Sequence, residues 1–287
     1  MTNESAKTID DVAGRMTATL TSDVLKCLAA VRFKYVLGIK RPQSYYLAFG
    51  NAWDRTSDSY WIERKQTGRS MAPAHVAEIM DFALREEFGN AEPVSAADET
   101  RADMRDQGIA LAQTWASDLG QHIEPIAVQE AFKADPGPSL PFHVTGVVDL
   151  VGKWLRKDMG DQPFFADAKT SKRRWTTKQA QDSLQPPIYL MAREHLGITT
   201  DLFQFHVGVR KKAPEMQVLS RRVDQSDLDL AMNVMKGANR ILRDAWISGA
   251  WVPNRQHVMC SRKYCPYWRE CEAQYGGTVS GAQEVEV

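Results

Sequence analysis

Two stretches of this chain constrain it more than any other. VTGVVDLVGKW (144–154) and PFFADAKTS (163–171) are runs of β-branched and aromatic residues of the kind that form buried strands, and each carries an acid, Asp149 in the first and Asp167 in the second. Side chains two apart share a strand face, so Asp167 and Lys169 point one way and Ala166 and Ala168 the other. A lone carboxylate is costly to bury and would take up a proton instead, so two acids on neighbouring core strands call for a compensating cation. Mg²⁺ suits such a place, because it binds through a few carboxylate oxygens together with water and phosphate. An ion pair between Lys169 and a neighbouring aspartate at a sheet end fits the same pattern. Glu130, in the strand-like AVQEAF (127–132), is a third acid in an awkward position and also fits an exposed edge strand.

The rest of the chain frames these strands. Residues 1–20 are polar and read as a flexible lead-in, and GGTVSGAQEVEV (276–287) reads as a flexible tail. Helical spacing is expected in SDVLKCLAAVRFKYVLGI (22–39), with Ser22 as N-cap, and in YLAFGNAWDRTSDSYWIERK (46–65). A helical insertion occupies about 70–122. The period then changes to that of strands at 123–134, 142–154 and 163–171. A helix in LQPPIYLMAREHLG stops at Gly197, and Pro186-Pro187 place its start near Gln185. LFQFHVGVRK and MQVLSRRV form a strand pair, and QSDLDLAMNVMKGANRILRDAWISG an amphipathic helix. This order predicts an α/β fold, a central mixed sheet flanked by helices, with a single domain over 21–275. At 287 residues and 43% hydrophobic, the chain can fill such a core. No apolar run is long enough to cross a bilayer and no signal peptide is evident, which predicts a soluble, cytoplasmic protein with no membrane partner.

Lys plus Arg and Asp plus Glu both number 36, so no overall positive field draws the chain to nucleic acid. Two local stretches are basic: KTSKRRWTTK (169–178), with five cations and no acid, and VRKKAPEMQVLSRR (209–222), with five cations and one acid. Each fits either a solvated loop or a polyanion contact.

The four cysteines are Cys27, Cys260, Cys265 and Cys271. Reduced thiols are expected inside a cell, and three cysteines within twelve residues point to a metal centre. Zinc suits a Cys₄ set, although structural zinc sites favour ligand pairs closer in sequence than these.

The ordered set Glu130, Gly146 to Asp149, and Asp167-Ala168-Lys169 resembles the PD-(D/E)xK nuclease superfamily. In that superfamily an acid and an acid-x-lysine on adjacent strands bind the catalytic metals. Gln185 and Tyr189 match the Q-x-x-x-Y element of its RecB-like branch. FGNAWD falls where that branch carries G-x-x-x-H, with Gly50 in place and Asp54 where histidine is expected. One cysteine near the start and three after the last long helix is similar to the iron–sulfur members, which include CRISPR-associated adaptation nucleases and the AddB nuclease domain. Leu28 stands where those members commonly have proline.

The resemblance implies a restriction-endonuclease-like core and metal-dependent hydrolysis of DNA, as an exonuclease preferring single-stranded ends. Asp54, Glu130, Asp149, Asp167 and the Ala168 carbonyl would be ligands of Mg²⁺ or Mn²⁺. Lys169, Asp149, Asp167, Gln185 and Tyr189 would be the catalytic set, and the four cysteines would hold a 4Fe-4S cluster closing the ends of the chain. DNA would run along Lys172, Arg173, Arg174, Lys178 and the stretch near Lys211, with Trp175 stacking on an unpaired base. No phosphate loop of the G-x-x-x-x-G-K-[ST] type is present, so no ATP-driven motor is expected. The chain would act alone or be recruited by a partner in recombination, repair, a phage pathway or CRISPR adaptation, and a homo-oligomer is left open. An alternative on the same fold is a DNA-binding or assembly factor whose metal shell Asp54 has spoiled. A zinc-stapled protein of unrelated activity is another.

Overall fold

The computed structural model describes residues 7–281 apart from 93–98, 139, 157 and 159. The first and last residues of the expected flexible ends, and residues 93–98 of the expected helical insertion, lie outside that set. The chain divides into two compact units: residues 1–42, 133–145 and 229–287, and residues 43–132 and 146–228.

The smaller unit opens with α1 (Ile9–Ala13), β1 (Arg15–Met16), α2 (Ala18–Lys26) and α3 (Leu28–Val31), which runs into a π-helical turn over Arg32–Val36. Residues 8–20 are therefore built into secondary structure, where polarity alone predicts a loose lead-in. Thr8 and Asp11 cap α1 reciprocally, and Val12, Ala13 and Met16 are buried. The cap of the next helix is also displaced. The Thr17 hydroxyl accepts from Leu20 N–H at 2.9 Å, so Ser22 lies inside α2, and Cys27 in extended backbone separates α2 from α3. Nothing in the local spacing marks Cys27 as a break.

The larger unit begins with β2 (Gln43–Ser44), α4 (Tyr45–Thr67), α5 (Pro73–Gly89), β3 (Ala91–Glu92) and α6 (Arg101–Asp118). It continues with β4 (Ile123–Ala134), β5 (His143–Trp154), β6 (Phe164–Ser171), α7 (Thr177–Gln181), α8 (Gln185–Leu190) and α9 (Arg193–Leu196). β7 (Leu202–Val209) and β8 (Glu215–Arg222) follow; α10 (Gln225–Ser248), from residue 229 onward, and α11 (Trp268–Tyr275) belong to the smaller unit. The last residues of β4 and the first of β5 belong to the smaller unit, and there β1 pairs parallel with β5, Arg15 opposite His143.

The sheet is mixed. β5 pairs antiparallel with β6, β6 parallel with β7, β7 antiparallel with β8, and β4 with β5. A parallel β6–β7 pair needs a crossover, and α7 to α9 supply it. Helices flank the sheet, as the alternation of strand and helix patterns predicts. Within the larger unit α4, α5 and α6 close over a core in which Trp53, Tyr60, Trp61 and Trp115 are all buried. Ala166 and Ala168 of β6 face this core, which leaves the opposite face of the strand to Asp167 and Lys169. Buried Arg64 ties α4 to the start of β4, donating to the Ile123 carbonyl at 2.7 Å and the Gln121 carbonyl at 3.0 Å.

β7 buries His206 against Trp154 and Phe164, and its Nε2–H donates to Gln204 Oε1 at 3.1 Å. Burial pushes its pKa down to about 3. The unfolded chain, with an ordinary histidine near 6.5, therefore binds a proton that the native state excludes between these values, and stability must fall as pH drops through that window. The slope is about 1.4 kcal/mol per pH unit, so this residue alone should cost about 2 kcal/mol between pH 7 and pH 5. Urea titrations of the wild type and His206→Leu at the two pH values measure it; parallel pH profiles would show that His206 is not the source.

Candidate active site

The site is built from one strand end and the helix that follows it. On β6, Asp167 is almost fully buried and Lys169 is half-buried, their side chains 2.5 Å apart (Oδ2 to Nζ). α8 starts at Gln185 because Pro186 and Pro187 fit a first turn, where no N–H is needed. That start aims the Gln185 amide at Asp167, donating to Oδ1 at 2.5 Å. Gln185 is also in hydrogen-bonding contact with the Tyr189 hydroxyl one turn on. Asp149 comes in from β5, with its carboxyl in hydrogen-bonding contact with that of Asp167. Asp54 projects from α4 into the same field.

Packing of Phe132 against Tyr189 fixes the wall behind them, ring centroids 6.4 Å apart and nearly perpendicular. Gly146 makes room for it: a Cβ there would sit 2.7 Å from the Phe132 ring.

The electrostatics follow from three carboxyls around one lysine. Burial, then the charge of Asp167, holds Asp149 well above the usual carboxylate range, with Lys169 opposing. Asp54 is exposed by area, yet the protein mass around its carboxyl leaves it poorly hydrated. That raises its pKa to about 7, with Lys169 pulling down and Asp167 and Asp58 pushing up. Burial lowers the pKa of Lys169, but Asp167 and then Asp149 more than offset it and keep the ammonium protonated. Tyr189 is shifted upward by burial and by the two aspartates, so it stays a neutral phenol. Asp167 Oδ2 is buried, with the Lys169 ammonium as its ion-pair partner.

Three carboxyls that face a single lysine are short of positive charge, which fits a divalent cation. Among the described residues no three Asp, Glu, His or Cys side chains are gathered as closely as the ligands of one metal ion. Two carboxylates with water and phosphate oxygens are nonetheless the usual environment of Mg²⁺.

The other expected site residues are dispersed. Glu130 pairs with Lys65 at 3.4 Å, both half-exposed. Ala168 faces the helical core through its methyl. Of the basic stretch, Lys172 pairs with Glu99 at 2.7 Å, Arg174 with Glu215 at 3.2 Å and Lys178 with Asp182 at 2.6 Å, while Arg173 is exposed. Trp175 packs on Phe205, and its backbone is clasped at both N–H and carbonyl by the Gln217 amide, 2.9 Å each way.

Two participants were not singled out from sequence. Asp58, one turn from Asp54 on α4, has its pKa raised to about 6 by burial and accepts from Gln129 Nε2 at 2.7 Å. Gln129 itself has φ +52°, a left-handed kink in β4. The four-residue spacing from Asp54 is the signal that could have found Asp58.

In the smaller unit the four cysteines are free thiols. Burial and then the charges of the other three raise the pKa of Cys265 to about 11, so all four lie within electrostatic reach of one another. Cys27 Sγ accepts from Asn254 N–H at 3.4 Å. Among the described residues the thiols do not converge to metal-binding distances.

A mixed sheet that presents an aspartate from one strand and Asp-x-Lys from the next is the arrangement of a nuclease fold. A family model for the PD-(D/E)XK nuclease superfamily matches residues 15–272, nearly the whole chain, and the chain belongs to that superfamily. The crystal structure of a protein named "Putative exonuclease" from Eubacterium rectale shares the fold, with a TM-score of 0.52 at 13% identity over 90% of each chain. The crystal structure of SSO0001 aligns over 93% of this chain and 94% of its own, at 12% identity and a TM-score of 0.36. No curated protein matches the sequence.

Proposed function

We propose that the chain is a divalent-metal-dependent deoxyribonuclease of the RecB-like branch, cutting phosphodiester bonds as an exonuclease at single-stranded DNA ends. The observation that carries this reading is the constellation of Asp149, Asp167, Lys169 and Gln185 at the end of β6, joined to a superfamily match over nearly the whole chain. Asp149 and Asp167 would hold Mg²⁺ or Mn²⁺, with Asp54 and the Ala168 carbonyl as further ligands. Glu130 would join only by leaving Lys65. Such an ion, when bound, polarises the phosphate and acidifies a water.

The remaining work falls to the chain. Lys169, kept charged by Asp167, orients the attacking water and stabilises negative charge growing on the phosphoryl oxygens. Gln185 locks the Asp167 carboxylate in one orientation, and the neutral Tyr189 hydroxyl holds Gln185. A 4Fe-4S cluster on Cys27, Cys260, Cys265 and Cys271 would play a structural part, and the thiols would have to draw together to hold it.

Digestion of end-labelled single- and double-stranded DNA with Mg²⁺ or Mn²⁺ tests the activity. Loss of mononucleotides from single-stranded ends, absent in EDTA, is expected. Calorimetry separates the alternative of an inactive DNA-binding factor: Mn²⁺ should bind the wild type and bind Asp149→Asn about tenfold or more weakly. Absence of binding in both would sink the metal reading. Anaerobically purified protein should be brown, whereas a zinc site would be colourless.

A further inference from the structure

A cavity of about 470 Å³ lies in the smaller unit, lined by Asp10, Gly14, Arg15, Lys133, His143 and Thr145. Its residues are unrelated to the carboxylates of the candidate active site. The backbone explains how they meet. β1 pairs parallel with β5, placing Arg15 opposite His143 and Met16 opposite Val144. Met16 and Val144 are fully buried, so Arg15 and His143 emerge on the other face, and Thr145, two residues on, shares it. Lys133 comes from the neighbouring strand β4.

Several polar groups of the pocket have no partner among the described residues. Among the described residues neither Arg15 nor Lys133 takes part in an ion pair, and Asp11, on which the charge of Arg15 acts, is engaged in capping α1 with Thr8. Asp10, the acid on the wall, is bound by Arg243 at 2.7 Å. His143 Nδ1 is buried without a hydrogen-bond partner, although its backbone N–H is satisfied by the Gly14 carbonyl at 3.0 Å. A buried ring nitrogen left without a partner is costly unless a ligand or water completes it. Gly14 also keeps this wall bare, since a Cβ there would lie 2.5 Å from the Asp10 carbonyl oxygen.

We infer that this cavity is a binding site for a phosphate monoester, with Arg15 and Lys133 as its cationic contacts and His143 Nδ1 and the Thr145 hydroxyl as hydrogen-bond partners. A guanidinium and an ammonium with two neutral polar groups match a tetrahedral dianion, and charge-assisted bonds of this kind are the strong ones. The volume accommodates a mononucleotide as well as a bare phosphate. The group could arrive on a free nucleotide or at the 5′ end of a DNA strand, and the chemistry recognised is the same.

The test is calorimetry on the full chain in EDTA, titrated in separate arms with inorganic phosphate, dAMP, deoxyadenosine, and a short oligonucleotide with and without a 5′-phosphate. Binding of phosphate and dAMP but not deoxyadenosine is expected, weakened about tenfold or more by Arg15→Gln and by Lys133→Gln. Lys169→Ala should bind as the wild type does, which keeps this result separate from the nuclease reading. Tighter binding of the phosphorylated oligonucleotide than of its unphosphorylated form would assign the source to a DNA end; equal binding would assign it to the free nucleotide. No binding of phosphate or dAMP at millimolar concentration, or binding that Lys169→Ala abolishes while both glutamine variants keep it, would overturn the proposal.

Discussion

Lys169→Ala is expected to reduce DNA cleavage about a hundredfold or more while leaving DNA binding within about twofold. Lys169 acts in common on Asp54, Asp149 and Tyr189, besides its contact with Asp167. Removing it withdraws the group placed to orient water and leaves a buried aspartate without its ion-pair partner. Breaking a fully buried pair costs about 3–5 kcal/mol, but Lys169 keeps a third of its side chain in solvent, so about 1–2 kcal/mol of destabilisation is the better figure. Lys169→Met, which keeps the aliphatic stem, should fail in cleavage equally while packing better. Single-turnover assays beside filter binding and urea unfolding separate the two effects; full cleavage by either variant would remove Lys169 from the mechanism.

Trp115→Ala should produce the largest loss of stability, about 4 kcal/mol. Its ring is 2% exposed and meets Tyr60 at 4.7 Å, Trp61 at 5.3 Å and Trp53 at 5.8 Å, all nearly edge-on. Edge-to-face packing adds to the burial of an already large surface, and four rings locked together cannot collapse into the void that alanine would leave. Against a typical total of about 5–15 kcal/mol, the variant would be marginal. The consequence should reach the candidate site, because α4 carries Trp53, Tyr60 and Trp61 together with Asp54 and Asp58. Denaturant midpoints at one pH test this. A change below about 1 kcal/mol would mean that the cluster repacks, and Trp115→Phe should fall between.

The strands at 123–134, 143–154 and 164–171, the helix start at Gln185, the left-handed stop at Gly197 and the helix over 225–248 all follow patterns visible in the residues themselves, although the expected helix between Gln185 and Gly197 is broken into α8 and α9. Local periodicity and the geometry of proline and glycine need no distant partner to act, which is why they could be read. The same alternation brings Asp167 and Lys169 together on one face of β6. The break at Cys27 and the kink at Gln129 could not be read, because their causes are remote: Cys27 accepts a bond from Asn254, and Gln129 is held by Asp58.

Charge shows the division most clearly. By sequence, 169–178 contains five cations and no acid. Folding brings Glu99 to Lys172 and Glu215 to Arg174 from positions where no local window would have looked, whereas Asp182 pairs with Lys178 one helical turn away. Sequence alone therefore determined which residues form strands, which faces they share and that acids would sit on core strands. Tertiary structure decided which charges remain unpaired, placing Glu130 with Lys65 and leaving Asp149 and Asp54 competing for Lys169. The reason is range: side-chain alternation is a property of adjacent residues, whereas an ion's partner and its hydration depend on whatever distant segment is packed within a few ångströms of it.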